Sequence, residues 1–387
     1  SHSSGKFQVW KHDDSGNYVS NVNAHLWQHE NTFQADLNGD LTQGLVTIEN
    51  IGDVHLAIGD NRFIGDTQYY IVDGSNDPIG LTKGGASRGP TSYDGWSVTQ
   101  AVASAGGGYE VLWSHNSKYM IWKVDTSGNF LSSIETKLWQ DEEKFGLDLN
   151  GDGDTGLVTV EAIGGVHLKH GDNTFNGAPQ YYIVDGSNDT IGLTKGGASR
   201  GPTSYDGWSV TQAVASAGGG YEVLWSHNSK YMIWKVDTSG NFLSSIETKL
   251  WQDEEKFGLD LNGDGDTGLV TVEAIGGVHL KHGDNRFIGD TQYYIVDGSN
   301  DPIGLTKGSS LIQPSLYAGS SWSITQVENS GSGYEVLLSH SSGKYAVWKV
   351  DALGSYQSSV NAHLWQHEKT FQADLNGDLT QGLVTIE

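Results

Sequence analysis

The chain contains no cysteine, only 6 proline and 2 methionine residues, and 22 Lys and Arg against 47 Asp and Glu. Without cysteine there is no disulfide framework and no thiol nucleophile, so added stability must come from repeat stacking or a bound ion. The shortage of positive charge leaves a formal net charge of -25. A polyanion would be repelled, which excludes nucleic acid as a partner class. No run approaches the roughly 18 apolar residues of a membrane span, and the opening residues predict no leader segment. Helix-length apolar periodicity is scarce as well. Glycine is what abounds, 53 of 387 residues, set between short alternating runs as in a fold of many strands and turns.

The chain is a repeat. Residues 79–173 recur letter for letter as 191–285, a period of 112 residues. Within it a longer unit, A, alternates with a shorter unit, B, and each reads as four strands. "YEVLW" matches "VHLKH" and "YMIWKVD" matches "YYIVDG", with Gly, Asn and Asp turns between them. The expected units are 1–44 (A, partial), 45–95 (B), 96–156 (A), 157–207 (B), 208–268 (A), 269–321 (B) and 322–382 (A). Seven units of about 55 residues predict one all-β domain, a seven-bladed β-propeller forming a monomeric ring. A closing strand, "LVTIE" at 383–387, is expected to join the amino-terminal strands and hide their edges.

Each A unit carries a short amphipathic stretch, "LWQDEEKF" in the two identical copies, followed by an oxygen-rich loop. Asp148, Asn150 and Asp152 hold positions one, three and five of a calcium loop. Gly153 stands where the chain must turn, and Asp154 can offer a backbone carbonyl at position seven. Asp260, Asn262, Asp264 and Asp266 repeat the set. Position twelve is Thr159 rather than an acid, so further ligands are expected to be waters or Glu142, Glu143 or Glu161. The end units keep Asp36, Asn38, Asp40 and Asp374, Asn376, Asp378 but put Leu41 and Leu379 in the glycine position. Leucine resists that turn, so these loops are expected to bind calcium less well. The competing reading is an Asx-rich turn whose carboxylates accept backbone N–H groups.

Tryptophans at one repeat position, Trp122, Trp234 and Trp348 in the third strand and Trp139, Trp251 and Trp365 in the helix, read as core filling between sheets. The connector "GGASRGPTSYDGW" offers Arg88, Tyr93, Asp94 and Trp96, repeated as Arg200, Tyr205, Asp206 and Trp208, as a set able to stack on a sugar. Its "GASRG" matches a nucleophile elbow in letters alone, because the setting is all-β and the third copy reads "GSSLIQP". His25 with His29, and His363 with His367, stand four apart as in a zinc-binding helix, but no third ligand is evident.

The combination "VLWSHNSKYMIWKVDTSGNFLSS" with "LWQDEEKFGLDLNGDG" resembles tryptophan-rich repeats of large secreted, calcium-dependent proteins of cyanobacteria and proteobacteria, some of which form propellers. That resemblance implies a secreted or cell-surface binding module. The reading as a whole is a calcium-stabilised, non-enzymatic structural or adhesive module whose partners are glycans or cell-surface proteins. Its alternative is a multivalent carbohydrate-binding propeller lectin.

Overall fold

Runs of Val, Ile, Tyr and Trp between glycine turns form strands whose apolar side chains are withdrawn from water, as at Tyr109–His115 and Lys118–Val124. The computed structural model describes residues 8–22, 25–60, 67–75, 77–134, 137–163, 165–174, 177–187, 189–246, 249–285, 291–299, 301–314, 321–360 and 365–382. Among them the protein is all-β, built of repeated four-stranded antiparallel sheets with four short helices. No sheet closes into a barrel among the described residues.

The chain divides into two compact units: Ser1–Val160, Lys169–Tyr182 and Arg200–Pro202 make the first, and Glu161–Leu168, Ile183–Ser199 and Thr203–Glu387 the second. The first contains a B-type sheet (Val46–Ile51, Val54–Asp60, Thr67–Val72, Ile79–Gly80) and an A-type sheet (Ser97–Ala103, Tyr109–His115, Lys118–Val124, Phe130–Ile134). One apolar cluster joins them through Leu56, Ile71, Val98, Val111, Trp113 and Trp122. Trp113 and Trp122 are 0% and 1% exposed, and their rings lie 4.7 Å apart. Lys83 from the ribbon Thr82–Lys83/Ala86–Ser87 places its ammonium 4.8 Å from the Trp122 ring and 4.0 Å from Phe130, an apolar stem ending in a cation–π contact.

The second unit contains the A-type sheets starting at Ser209 and Trp322 and the B-type sheet starting at Val270. Leu280, Ile295, Val327, Val336 and Trp348 share its core. Strands Val158–Ile163, Val166–Asp172, Pro179–Val184 and Thr190–Gly192 follow the B-type order and are apportioned between the two units. The partial first A unit shows two strands, Trp10–His12 and Tyr18–Asn21. The expected closing strand 383–387 lies outside the described residues.

In the last A-type sheet Glu328 stands where its counterparts are Val102 and Val214. Burial and the facing Glu273 push its carboxyl above the usual carboxylate range, and its Oε1 is buried without a partner. A carboxyl raised in the folded state contributes stability while it is protonated. That contribution is full below the ordinary carboxylate value and is lost as pH rises through the raised one. Glu328→Val is therefore expected to stabilise the chain by about 1–3 kcal/mol at neutral pH. Urea melts should show the gain shrinking towards acid pH.

Candidate metal centre

The four helices, α1 (Leu26–Phe33), α2 (Leu138–Phe145), α3 (Leu250–Phe257) and α4 (Trp365–Phe371), each deliver the chain into an acidic loop. Gly146 ends α2 in the left-handed conformation, with its N–H on the Glu142 carbonyl. The loop then winds around Asp148, whose two carboxylate oxygens accept the N–H groups of Gly151 (2.6 Å) and Gly153 (2.9 Å). Those bonds hold the Asp148 carboxyl below the usual carboxylate range. Asn150 donates through Nδ2 to Asp152 (3.0 Å) and also to Asp172 (2.8 Å), which lies at the end of strand Val166–Asp172. From the helix side Glu142, 2% exposed, accepts the Leu149 N–H at 3.2 Å. Burial, aided by the charges of Asp152, Asp148 and Asp172, pushes the Glu142 carboxyl up to about 7. Asp172 is raised as well, by burial and by Asp152.

The second identical loop repeats this. Asp260 accepts from Gly263 and Gly265, Asn262 donates to Asp264 (3.1 Å) and Asp284 (2.9 Å), and Glu254 is likewise pushed to about 7 by burial. Here Glu254, Asp264 and Asp284 line a cavity of about 80 Å³ with Asp266, His282 and Thr291. In the first loop Asp36 holds Gly39 and Leu41, and Asn38 bridges Asp40 and Asp60. In the fourth, Asp374 holds Gly377 and Leu379, and Asn376 donates to Asp378.

The carboxylates at loop positions one and five thus have N–H donors already. Among the described residues no group of three or more Asp, Glu, His or Cys side chains is drawn close enough to hold a metal ion. The donor set nevertheless suits a hard cation: the side chains of Glu142, Asp148, Asn150, Asp152 and Asp172 all bear oxygen, and the Asn150 N–H₂ group sits between two carboxylates.

Sequence reasoning missed Asp60, Asp172 and Asp284. Their signal was the Gly-Asp pair at 59–60, 171–172 and 283–284, at a fixed distance after each loop. Of the outside acids named from sequence, Glu142 joins the cluster. Glu143 instead accepts the Leu157 N–H (3.4 Å) and lies over Gly156, where a Cβ would stand 2.2 Å from its Cγ. Burial pushes the Glu161 carboxyl above the usual range, and its neighbour is His167. Leucine also does not prevent the turn: Leu41 and Leu379 take φ of 71° and 67°, against 98° and 97° at Gly153 and Gly265. Both leucines are almost fully exposed. Leu41→Gly and Leu379→Gly should each stabilise the chain by about 1 kcal/mol, since a side chain at positive φ costs about that much. Thermal melts of the two single variants check this.

The connector rings turn inward. Tyr93 packs edge-on against Trp113 (5.4 Å) and Trp122 (5.8 Å), and Arg88 lies 5.5 Å over Tyr93 while donating to the Lys83 carbonyl. Trp96 is half-buried and stacks on His115, and Asp94 is exposed. In the second copy Tyr205 meets Trp225 and Trp234, Trp208 stacks on His227, and Asp206 is exposed. Arg200 offers its carbonyl to the Tyr181 N–H. Ser87 and Ser199 lie on two-residue ribbon strands, not at a strand-to-helix turn. Of the histidines, His25 stacks on Trp27, His367 bonds Glu335 at 2.9 Å, and His363 lies outside the described residues.

The family model of the tryptophan-rich Synechocystis species C-terminal domain matches the sequence three times, at residues 62–156, 174–268 and 286–382. The chain belongs to this family. Each tryptophan-rich match starts ahead of the third strand of a B unit, crosses the following A sheet and ends with the acidic loop; the first two A sheets carry the paired tryptophans, and the third has Leu338 beside Trp348. No curated protein matches the sequence.

Solved structures found similar include one from a study of two prolyl endopeptidases (13% identity, 82% of this chain and 41% of that chain, TM-score 0.19). Another is prolyl oligopeptidase B from Galerina marginata (8%, 80% and 42%, TM-score 0.18). A third is dipeptidyl peptidase 4 from Porphyromonas gingivalis (12%, 89% and 48%, TM-score 0.20). This chain spans less than half the length of each. These neighbours correct one expectation: all three are peptidases, so the reading of this tryptophan-rich domain as non-enzymatic is withdrawn. At such TM-scores the likeness carries no argument for peptidase activity either. No described helix is long and apolar enough to cross a membrane.

Proposed function

We propose that the chain is a calcium-responsive structural or adhesive module, in which each acidic loop clamps a helix to the strand that follows. The carrying observation is the cavity lined by Glu254, Asp264 and Asp284, where helix, loop and next strand each bring one carboxylate. In the first copy Glu142, Asp148, Asp152 and Asp172 are the residues that would hold the ion, and Asp36, Asp40 and Asp60 in the partial unit. The cation would supply the positive charge that these clustered carboxylates lack. The Asn150 amide supports the reading as a partial substitute, because it supplies a positive dipole but no net charge.

A loop without an acid at position twelve suits the weak affinities, about 10⁻⁴–10⁻³ M, of extracellular calcium modules. A secreted or cell-surface setting follows from the same reading. The seven-bladed propeller belongs with it too: the four-stranded sheets and the 112-residue period are of blade size, and small-angle scattering would distinguish a ring from an elongated array. The clamp is tested by melting the chain in millimolar calcium and in chelator. A melting point that does not fall in chelator removes calcium from the account and leaves the loops as Asx turns.

A further inference from the structure

In the second unit a cleft of about 830 Å³ opens between hairpin turns and the end of α3. Gln212, Val214, Tyr221, Asp185, Lys256 and Phe257 are among the residues that line it. Gln212 is 1% exposed, and its Oε1 has no hydrogen-bond partner. An amide buried in this way costs about 1–3 kcal/mol unless something bonds it. The equivalent Gln326 has a bond, donating to the Phe371 carbonyl at 3.0 Å. Of the two, Gln212 is the one whose Oε1 is buried without a partner among the described residues.

The surroundings define what would meet it. Lys256 is neutralised by Glu222 at 2.6 Å, and Asp185 accepts the Tyr221 hydroxyl at 2.7 Å, so the charge left in the cleft is negative. With a chain net charge of -25, anionic ligands are disfavoured. Tyr221, Phe257 and Val214 give an apolar wall suited to the C–H face of a ring. The lining joins the end of the strand Ser209–Ala215, with Gln212, Val214 and Ala215, to the strand ends at Val166 and Tyr221, to hairpin turns and to the end of α3. The volume suits a ligand of several rings.

We infer that this cleft binds a neutral oligosaccharide, with a sugar hydroxyl donating to Gln212 Oε1 and a ring face on Tyr221. The site differs from the connector expected from sequence, and it does not depend on calcium. Asp73, Gln100, Tyr109 and Lys144 supply the same residues in the first unit.

The experiment is saturation-transfer NMR and calorimetry with neutral tetrasaccharides of glucose and of N-acetylglucosamine, beside a sulfated tetrasaccharide. Binding of a neutral probe is expected, weakened at least tenfold in the double variant Gln100→Leu/Gln212→Leu and unchanged in Gln326→Leu. The single variant Gln212→Leu should melt at or above the wild type, because Gln212 Oε1 accepts no hydrogen bond that would be lost. Failure of every neutral probe, preference for the sulfated one, or undiminished binding by the double variant would overturn the assignment. All measurements run in chelator as well, so that loss of the calcium clamp and loss of the sugar site are read separately.

Discussion

Trp122→Ala is expected to cost about 3–5 kcal/mol, the usual loss when a fully buried large aromatic is truncated in a packed core. The ring is 1% exposed and touches Trp113, Tyr93 and Phe130 at centroid distances of 4.7, 5.8 and 4.8 Å, with the Lys83 ammonium beyond. Removing it leaves a cavity bounded by two sheets that cannot collapse without separating. Its indole Nε1 is buried without a partner, so the stabilisation comes from packing rather than from a hydrogen bond. Trp122→Phe should accordingly cost less than half as much. Chemical denaturation of the two variants measures both values, and equal losses would mean that the indole N–H matters after all. Because Trp234 occupies the same place in the second unit, Trp234→Ala should lose as much.

The second large effect concerns calcium. Binding to the folded state alone stabilises by about 2.7 kcal/mol per site at a hundredfold excess over the dissociation constant. With both complete loops filled, the melting point should therefore rise well clear of its value in chelator. The four carboxyls Glu142, Asp148, Asp152 and Asp172 set the sign. Burial disfavours the charged forms of Glu142, pushed to about 7, and of Asp172, and a divalent ion reverses that balance. Asp152→Ala with Asp264→Ala should abolish the calcium-dependent rise. The same pair should change stability in chelator by far less, since two crowded charges are lost with their hydrogen bonds.

Much of this molecule could be read from its residues. The period, the alternation in "YEVLW" and the Gly-Asn-Asp turns gave the four-stranded sheets, because strand formation there follows local pattern. The spacing of Asp148, Asn150 and Asp152 likewise gave one wall of the loop site. The other wall was not legible. Asp172 lies 22 residues beyond Asn150, and only the folding of a strand against the loop brings the two together. At Gly156 the side chain of Glu143 occupies the space a larger residue would need, a contact that no local spacing shows. Tyr93 and Trp96 looked like a sugar platform because polar residues surround them in sequence. Their rings turn to Trp113 and His115, partners that no local pattern could name. Gln212 and Gln326 share the stretch "TQ", yet Gln326 Nε2 donates to the Phe371 carbonyl while Gln212 Oε1 is buried without a partner, a difference that the letters do not carry.

Calorimetric titration of calcium into the chain and into the triple variant Asp60→Ala/Asp172→Ala/Asp284→Ala tests the clamp most directly. These three aspartates lie outside the loops proper, so the Asx turns around Asp36, Asp148 and Asp260 survive their removal. The account predicts uptake of more than one equivalent by the wild type at submillimolar to millimolar calcium, and loss of most of that uptake in the triple variant. No uptake by the wild type, or equal uptake by the triple variant, would contradict it.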